Sequence, residues 1–231
     1  MKIKTITAGL LGLLLATGAW GQSITYSTNY SIGLGIPDND FSGLASTKTL
    51  TTTITALTDL NVFLNVSGTF NGDLYAYLTY SSGFSVLLSR PGRRAGDLSG
   101  YSDDGLNVTL DDQAGANIHT YRLTLNGNHT TPLAGALTGT WQPDGRATFP
   151  TLTLDTPGAV TDTPSEFLSS FNGLDPNGDW TLFIADLSGG DTHTLVSWGL
   201  EVTGPVPEPG TTALLALGGL GLLLAAQRRK K

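Results

Sequence analysis

Leu60-Asn61-Val62-Phe63-Leu64-Asn65-Val66 decides the fold class of this chain. Its apolar residues at 60, 62, 64 and 66 share one face of an extended strand, with Phe63 on the other, because successive side chains of a strand point to opposite sides. Working outward, residues 74–80, 85–88, 106–110, 120–125, 181–184 and 195–202 read in the same way, and the threonine-rich stretch 48–56 reads as a further strand. Between them stand Asn71-Gly72, Arg90-Pro91-Gly92, Asp104-Gly105, Asn126-Gly127, Asp144-Gly145 and Asn177-Gly178, all turn formers. Many short strands punctuated in this way predict an all-β protein, a sandwich or jelly roll. One short helical turn is expected from Pro164-Ser165-Glu166 to Phe171, where serine, proline and an acid suit a helix start.

Composition limits what this β domain does. The chain has 231 residues and no cysteine, so disulfides play no part in its stability. Of its 12 basic residues, six lie in the two end segments; residues 22–205 keep six cations against 18 acids, a net charge of −12. Such a domain repels nucleic acid and anionic headgroups. Roughly 180 residues suffice for one well-packed domain.

The ends carry a different message. Lys2 and Lys4 precede an apolar stretch rich in Leu, Gly and Ala, and Ala19-Trp20-Gly21 supplies small residues at the −3 and −1 positions of a cleavage site. Residues 1–21 therefore read as a secretory signal peptide cut between Gly21 and Gln22. At the other end, Pro205-Val206-Pro207-Glu208-Pro209 leads into residues 211–226, without charge or amide, and then Gln227-Arg228-Arg229-Lys230-Lys231. Leucine and alanine cover every helical face of that run, leaving no polar stripe for a soluble helix. It is short against the ~20 residues of a full span, and snorkelling side chains extend it. The basic cluster keeps this terminus cytoplasmic.

Val206-Pro207-Glu208-Pro209, the apolar run and the basic tail together resemble the PEP-CTERM sorting signal of Gram-negative bacteria. The resemblance implies export by the secretion machinery through the inner membrane. It also implies a transient membrane anchor and recognition by an exosortase-type transpeptidase through Pro207, Glu208, Pro209, Arg228 and Arg229, with delivery to the cell surface or extracellular matrix. The family accompanies exopolysaccharide and biofilm production, which makes exopolysaccharide or other surface proteins the expected partners.

The middle of the chain resembles a second family, the P domain (P/Homo B domain) of subtilisin-like proprotein convertases. The matching pieces are Ile36-Pro37-Asp38-Asn39-Asp40, Gly72-Asp73-Leu74, Ser89-Arg90-Pro91-Gly92, Phe171-Asn172-Gly173, Asn177-Gly178-Asp179-Trp180-Thr181-Leu182 and Leu195-Val196-Ser197-Trp198-Gly199-Leu200. The resemblance implies a jelly-roll sandwich of the galactose-binding-like kind over residues 22–204, followed by the sorting segment 205–231. It implies that Trp180 and Trp198 pack near the chain's end. It is a resemblance to the noncatalytic part of a serine endopeptidase.

Neither G-x-S-x-G nor H-E-x-x-H occurs, and His119, His129 and His193 sit in turn-like or strand-edge settings without a signature. No catalytic residue is expected. Acidic loops offer a calcium site, since calcium takes six to eight oxygens from carboxylates and loop carbonyls. The Asp38/Asp40 loop joined by Asp186 or Asp191 is the expected ligand set. Trp141-Gln142-Pro143-Asp144-Gly145 reads as a turn with an anchoring aromatic, or as a platform for a sugar ring. Tyr75 and Tyr77 share a face that Tyr80 does not. Two functions follow: a noncatalytic surface or matrix binding module, or an accessory module of a subtilisin-like protease.

Overall fold

The computed structural model describes residues 22–147 and 163–205, together with Arg228. Nine strands are described: β1 (Ser23–Ile36), β2 (Leu44–Leu50), β3 (Asp59–Gly68), β4 (Leu74–Tyr80), β5 (Gly83–Ser89), β6 (Leu106–Leu110), β7 (Leu137–Trp141), β8 (Gly178–Asp186) and β9 (His193–Pro205). They form a five-stranded sheet of order β1-β9-β3-β6-β7 and a four-stranded sheet of order β2-β8-β4-β5. Neighbours run antiparallel except β6 and β7, which are parallel.

The alternation of β3 shows why two layers form. Leu60, Val62, Leu64 and Val66 are buried, and they share one apolar cluster with Leu74, Ala76 and Leu78 of β4 and Trp180, Leu182 and Ile184 of β8. Those residues belong to opposite sheets, so the cluster is the filling of a two-sheet sandwich. Its largest side chains, Trp180 and Trp198, are fully buried. Each indole N–H finds an acceptor, Pro176 C=O at 2.8 Å and Ser46 Oγ at 2.9 Å, as a buried tryptophan requires. Tyr80 stacks on Trp180 with ring centroids 4.2 Å apart, while Tyr75 and Tyr77 lie in a separate outer-face cluster. The aromatic alternation along β4 is as the strand period predicts.

Two expectations are corrected. Residues 120–125 are not a strand: a 3-10 turn at Ile118–Thr120 leads into the helix α1 (Tyr121–Asn126). The Asn117 side chain accepts the His119 N–H at the start, and Gly127 ends α1 in the left-handed region at φ 69°, a glycine stop. Tyr121 and Arg122 point into the protein while Leu123 and Leu125 remain exposed, so the apolar alternation here has no sheet to serve. The threonine-rich strand is placed earlier than expected, at Leu44–Leu50 rather than 48–56. The expected helical turn is a 3-10 helix at Leu168–Phe171. The expected signal peptide with Gly21, and the sorting segment with Pro207, Glu208, Pro209, Arg229 and the span 211–226, lie outside the described residues. Among the described residues no helix is long and apolar enough to cross a membrane.

Candidate functional site

The four acids expected as metal ligands gather at one end of the sandwich. Asp38 and Asp40 lie in the turn after β1, Asp186 closes β8, and Asp191 precedes β9. Backbone contacts tie these turns together: Asp40 N–H donates to Asp186 C=O at 3.1 Å, and Gly190 N–H donates to Asp38 Oδ2 at 3.3 Å. The other carboxylates are each held by a hydrogen bond of their own. Asp40 Oδ1 accepts Ser42 N–H at 2.8 Å, Asp191 Oδ1 accepts the Thr69 hydroxyl at 2.6 Å, and Asp186 Oδ1 accepts Ser188 N–H at 3.2 Å. Among the described residues no three His, Asp or Glu side chains are placed to share one metal ion, so the calcium expectation finds proximity without a converged ligand set.

Behind these loops lies a buried network that local motifs did not announce. His193 Nδ1 meets Asp186 Oδ2 at 2.7 Å, with both side chains fully buried, and His193 Nε2 has no hydrogen-bond partner. Nearby, Arg90 pairs with Asp73 at 3.1 Å and donates through Nε to Gly72 C=O at 2.9 Å. Burial pushes the Asp73 carboxyl up to about 6, opposed by Arg90 and reinforced by the charge of Asp186. Arg90 reaches this position because the turn after β5 gives it a positive φ of 49°.

A second buried carboxylate, Asp144, joins three separate segments. His119 Nδ1 meets its Oδ2 at 2.7 Å, Arg146 contacts its Oδ1, and Ser89 N–H donates to Oδ2 at 3.3 Å. Burial alone would raise this carboxyl, but His119 and Arg146 outweigh it and hold it below the usual range. A third, Asp103, binds Arg122 Nε at 2.7 Å, the Tyr121 hydroxyl at 2.6 Å and Leu133 N–H at 2.7 Å. Its burial penalty is likewise overcome, chiefly by hydrogen bonds from Arg122 and Tyr121, and its carboxyl lies below the ordinary value. Asp103 and Asp104 border a cleft of about 260 Å³ with Ser102 and Leu133.

A Ser-His-Asp type site needs a nucleophile on the far nitrogen of a carboxylate-bound histidine. His119 Nε2 instead meets the Arg93 carbonyl at 2.8 Å, and His129 Nδ1 meets the Tyr101 hydroxyl. Among the described residues no serine or threonine hydroxyl bonds to a histidine ring. Trp141 is buried, its indole donating to Thr138 C=O at 3.0 Å, so it anchors a turn and offers no sugar platform. Aromatic surface lies elsewhere, on the outer face of the four-stranded sheet. There half-buried Tyr77 stacks on Phe183 at 4.8 Å and meets Phe84 at 5.2 Å.

Comparison with known proteins adds a destination. Residues 205–230 match the PEP-CTERM protein-sorting motif, which marks the chain for export and sorting by an exosortase-type system. Comparison with curated proteins finds no match. Among solved structures, the Aeromonas sobria serine protease (ASP) in complex with the chaperone (ORF2) gives a TM-score of 0.42 at 16% identity, over 80% of this chain and 27% of that one. The serine protease of Aeromonas sobria in a second crystal structure gives 0.41 at 15% identity, over 79% and 27%. The chain thus spans about a quarter of the length of these two structures.

Proposed function

We propose that this is a noncatalytic binding or structural module of the cell surface or extracellular matrix, associated with exopolysaccharide. The sorting motif at residues 205–230 carries the reading, because it marks the chain for export and sorting. Two features of the domain support it. The histidines and buried carboxylates hold segments together instead of facing a nucleophile. The outer-face aromatics Tyr77, Phe84 and Phe183 supply the flat apolar surface against which sugar rings stack. A net acidic domain also suits a matrix in which it stays soluble and unattached to nucleic acid.

A second reading is an accessory module of a subtilisin-like protease, with the jelly-roll topology of a P domain. It is favoured by Asn177-Gly178-Asp179-Trp180 and Leu195-Val196-Ser197-Trp198-Gly199-Leu200, the pieces that resemble that family. Pull-down of the exported protein against the host's exopolysaccharide and against its secreted subtilisin-like proteases separates the two. Retention by polysaccharide, reduced on replacing Tyr77→Ala, supports the first. Capture of a protease with no polysaccharide retention overturns it.

A further inference from the structure

Among the four sheet edges, one is long, uncharged and unpaired. β5 is covered: Val86 N–H donates to Glu166 C=O at 3.0 Å, and Gly145 and Asp144 N–H donate to Val86 and Leu87 carbonyls at 2.9 and 3.1 Å. β2 carries Lys48, and β7 has only five residues. β1 runs for 14 residues, SITYSTNYSIGLGI, with no charge and no proline, and among the described residues it pairs on one side only, with β9. Natural sheets guard such edges with lysine, proline, or short strands, and this one has none of those guards. Its single irregularity falls late, between Ser31 and Leu34, leaving the first nine residues as a regular ladder whose outer backbone donors and acceptors are unused among the described residues.

The order of side chains along that ladder is nearly the same in both directions. Around Thr28 the chain reads Ile24-Thr25-Tyr26-Ser27-Thr28-Asn29-Tyr30-Ser31-Ile32. Laid antiparallel against a copy of itself, it sets Ile24 opposite Ile32, Thr25 opposite Ser31, Tyr26 opposite Tyr30, Ser27 opposite Asn29 and Thr28 opposite itself. Directly opposed side chains are the unit of sheet stabilisation, and here each meets its own kind. About a two-fold axis residue i meets j and j meets i, so each of these matched pairs occurs twice and Thr28 alone meets its own copy. The even-numbered residues are on the inner face, where Tyr30 packs on Trp198 at 5.4 Å. At the free end of that face Ile24 and Tyr26 stay 40% and 42% exposed. The opposed strand would lay Ile32 and Tyr30 of the second copy beside them.

We propose that two copies of this chain associate through antiparallel pairing of β1 about a two-fold axis at Thr28, joining their five-stranded sheets into one of ten strands. The absence of cysteine from the chain provides a clean test. Opposed positions on paired strands are close enough for a disulfide. In the full-length protein purified in detergent, oxidised Thr28→Cys is expected to run as a covalent dimer on a non-reducing gel. Thr25→Cys, whose opposite number is Ser31, is expected to stay monomeric. Sedimentation velocity over a concentration series should show the unmodified protein as a dimer. Thr28→Lys and Thr28→Glu should each be monomeric, because like charges meet at the axis, and an equimolar mixture of the two should recover the dimer. Melting temperatures of the charge variants confirm that they fold. Equal cross-linking of both cysteine variants, a dimer that survives Thr28→Lys, or a monomer throughout the concentration series would overturn the proposal.

Discussion

Replacing Asp73→Asn tests how the buried network at the loop end of the sandwich is balanced. Asp73 is nearly inaccessible and paired with Arg90 at 3.1 Å, yet burial outweighs that partner and its carboxyl is raised from 3.8 to about 6. The sign follows from proton linkage. Between these two values the folded protein holds a proton that the unfolded chain has released, so stability falls as pH rises through the window. The contribution is complete below about pH 4 and gone above about pH 6. The full shift corresponds to about 3 kcal/mol. Solvent screening at the loop end reduces this to about 1–2 kcal/mol. Asparagine cannot titrate, and it resembles the protonated acid in size. Urea unfolding of both proteins at a series of pH values isolates the term, because groups not coupled to Asp73 titrate alike in both and cancel in the difference. At acid pH the two should be equally stable; at neutral pH Asp73→Asn should be the more stable by that amount. A flat difference, or a wild type that gains on the variant as pH rises, would show that the Arg90 pair dominates burial and would refute the reasoning.

Trp180→Ala should cost about 3–5 kcal/mol in chemical denaturation, since it empties the centre of the core and removes the stacking partner of Tyr80. Asp103→Ala leaves the Arg122 guanidinium buried without its carboxylate and should cost about 3–5 kcal/mol. The Asp103 and Asp144 carboxyls lie below their ordinary value, so their contribution is present at neutral pH and lost as pH falls through their folded values. Acid unfolding followed by circular dichroism should therefore begin at higher pH in Arg122→Gln than in the wild type. Calcium and chelator should leave the melting temperature unchanged, because Asp38, Asp40, Asp186 and Asp191 are each held by a hydrogen bond of their own without converging. A calcium-dependent rise in scanning calorimetry would show that they do converge on an ion.

Much of the architecture is readable from period-two patterns where both layers press on a strand. Residues 60–66 alternate because one face is core, and six of the strands were located in this way. β1 escapes such reading: it lies at an edge, and only part of its inner face is covered, so serine, threonine and asparagine suit it as well as apolar residues. β7 escapes because Gly139 and two threonines dilute five residues. Residues 120–125 mislead for the opposite reason. Tyr121, Leu123 and Leu125 alternate, but only Tyr121 is buried, and the helix is set by the Asn117-capped 3-10 turn that leads into it, the Gly127 stop and the grip of Asp103 on Arg122. The expected acids do meet at one end, where the turn after β1 bonds to the connection between β8 and β9. The partnerships His193–Asp186, His119–Asp144, Arg90–Asp73 and Arg122–Asp103 join residues 7 to 25 positions apart through turns that no local motif encodes. The sorting segment is the reverse case: its information is wholly local, and the matched residues 205–230 are legible without any fold.

We propose that this β domain is cargo that is exported and then released from its tail. Intact-mass spectrometry of the protein recovered from the cell surface and medium tests it most directly. The expected product has its N-terminus at Gln22 and its C-terminus at or near Pro207-Glu208-Pro209, without the apolar run and the basic residues. A chain still ending at Lys231 would contradict it and leave the tail a permanent anchor.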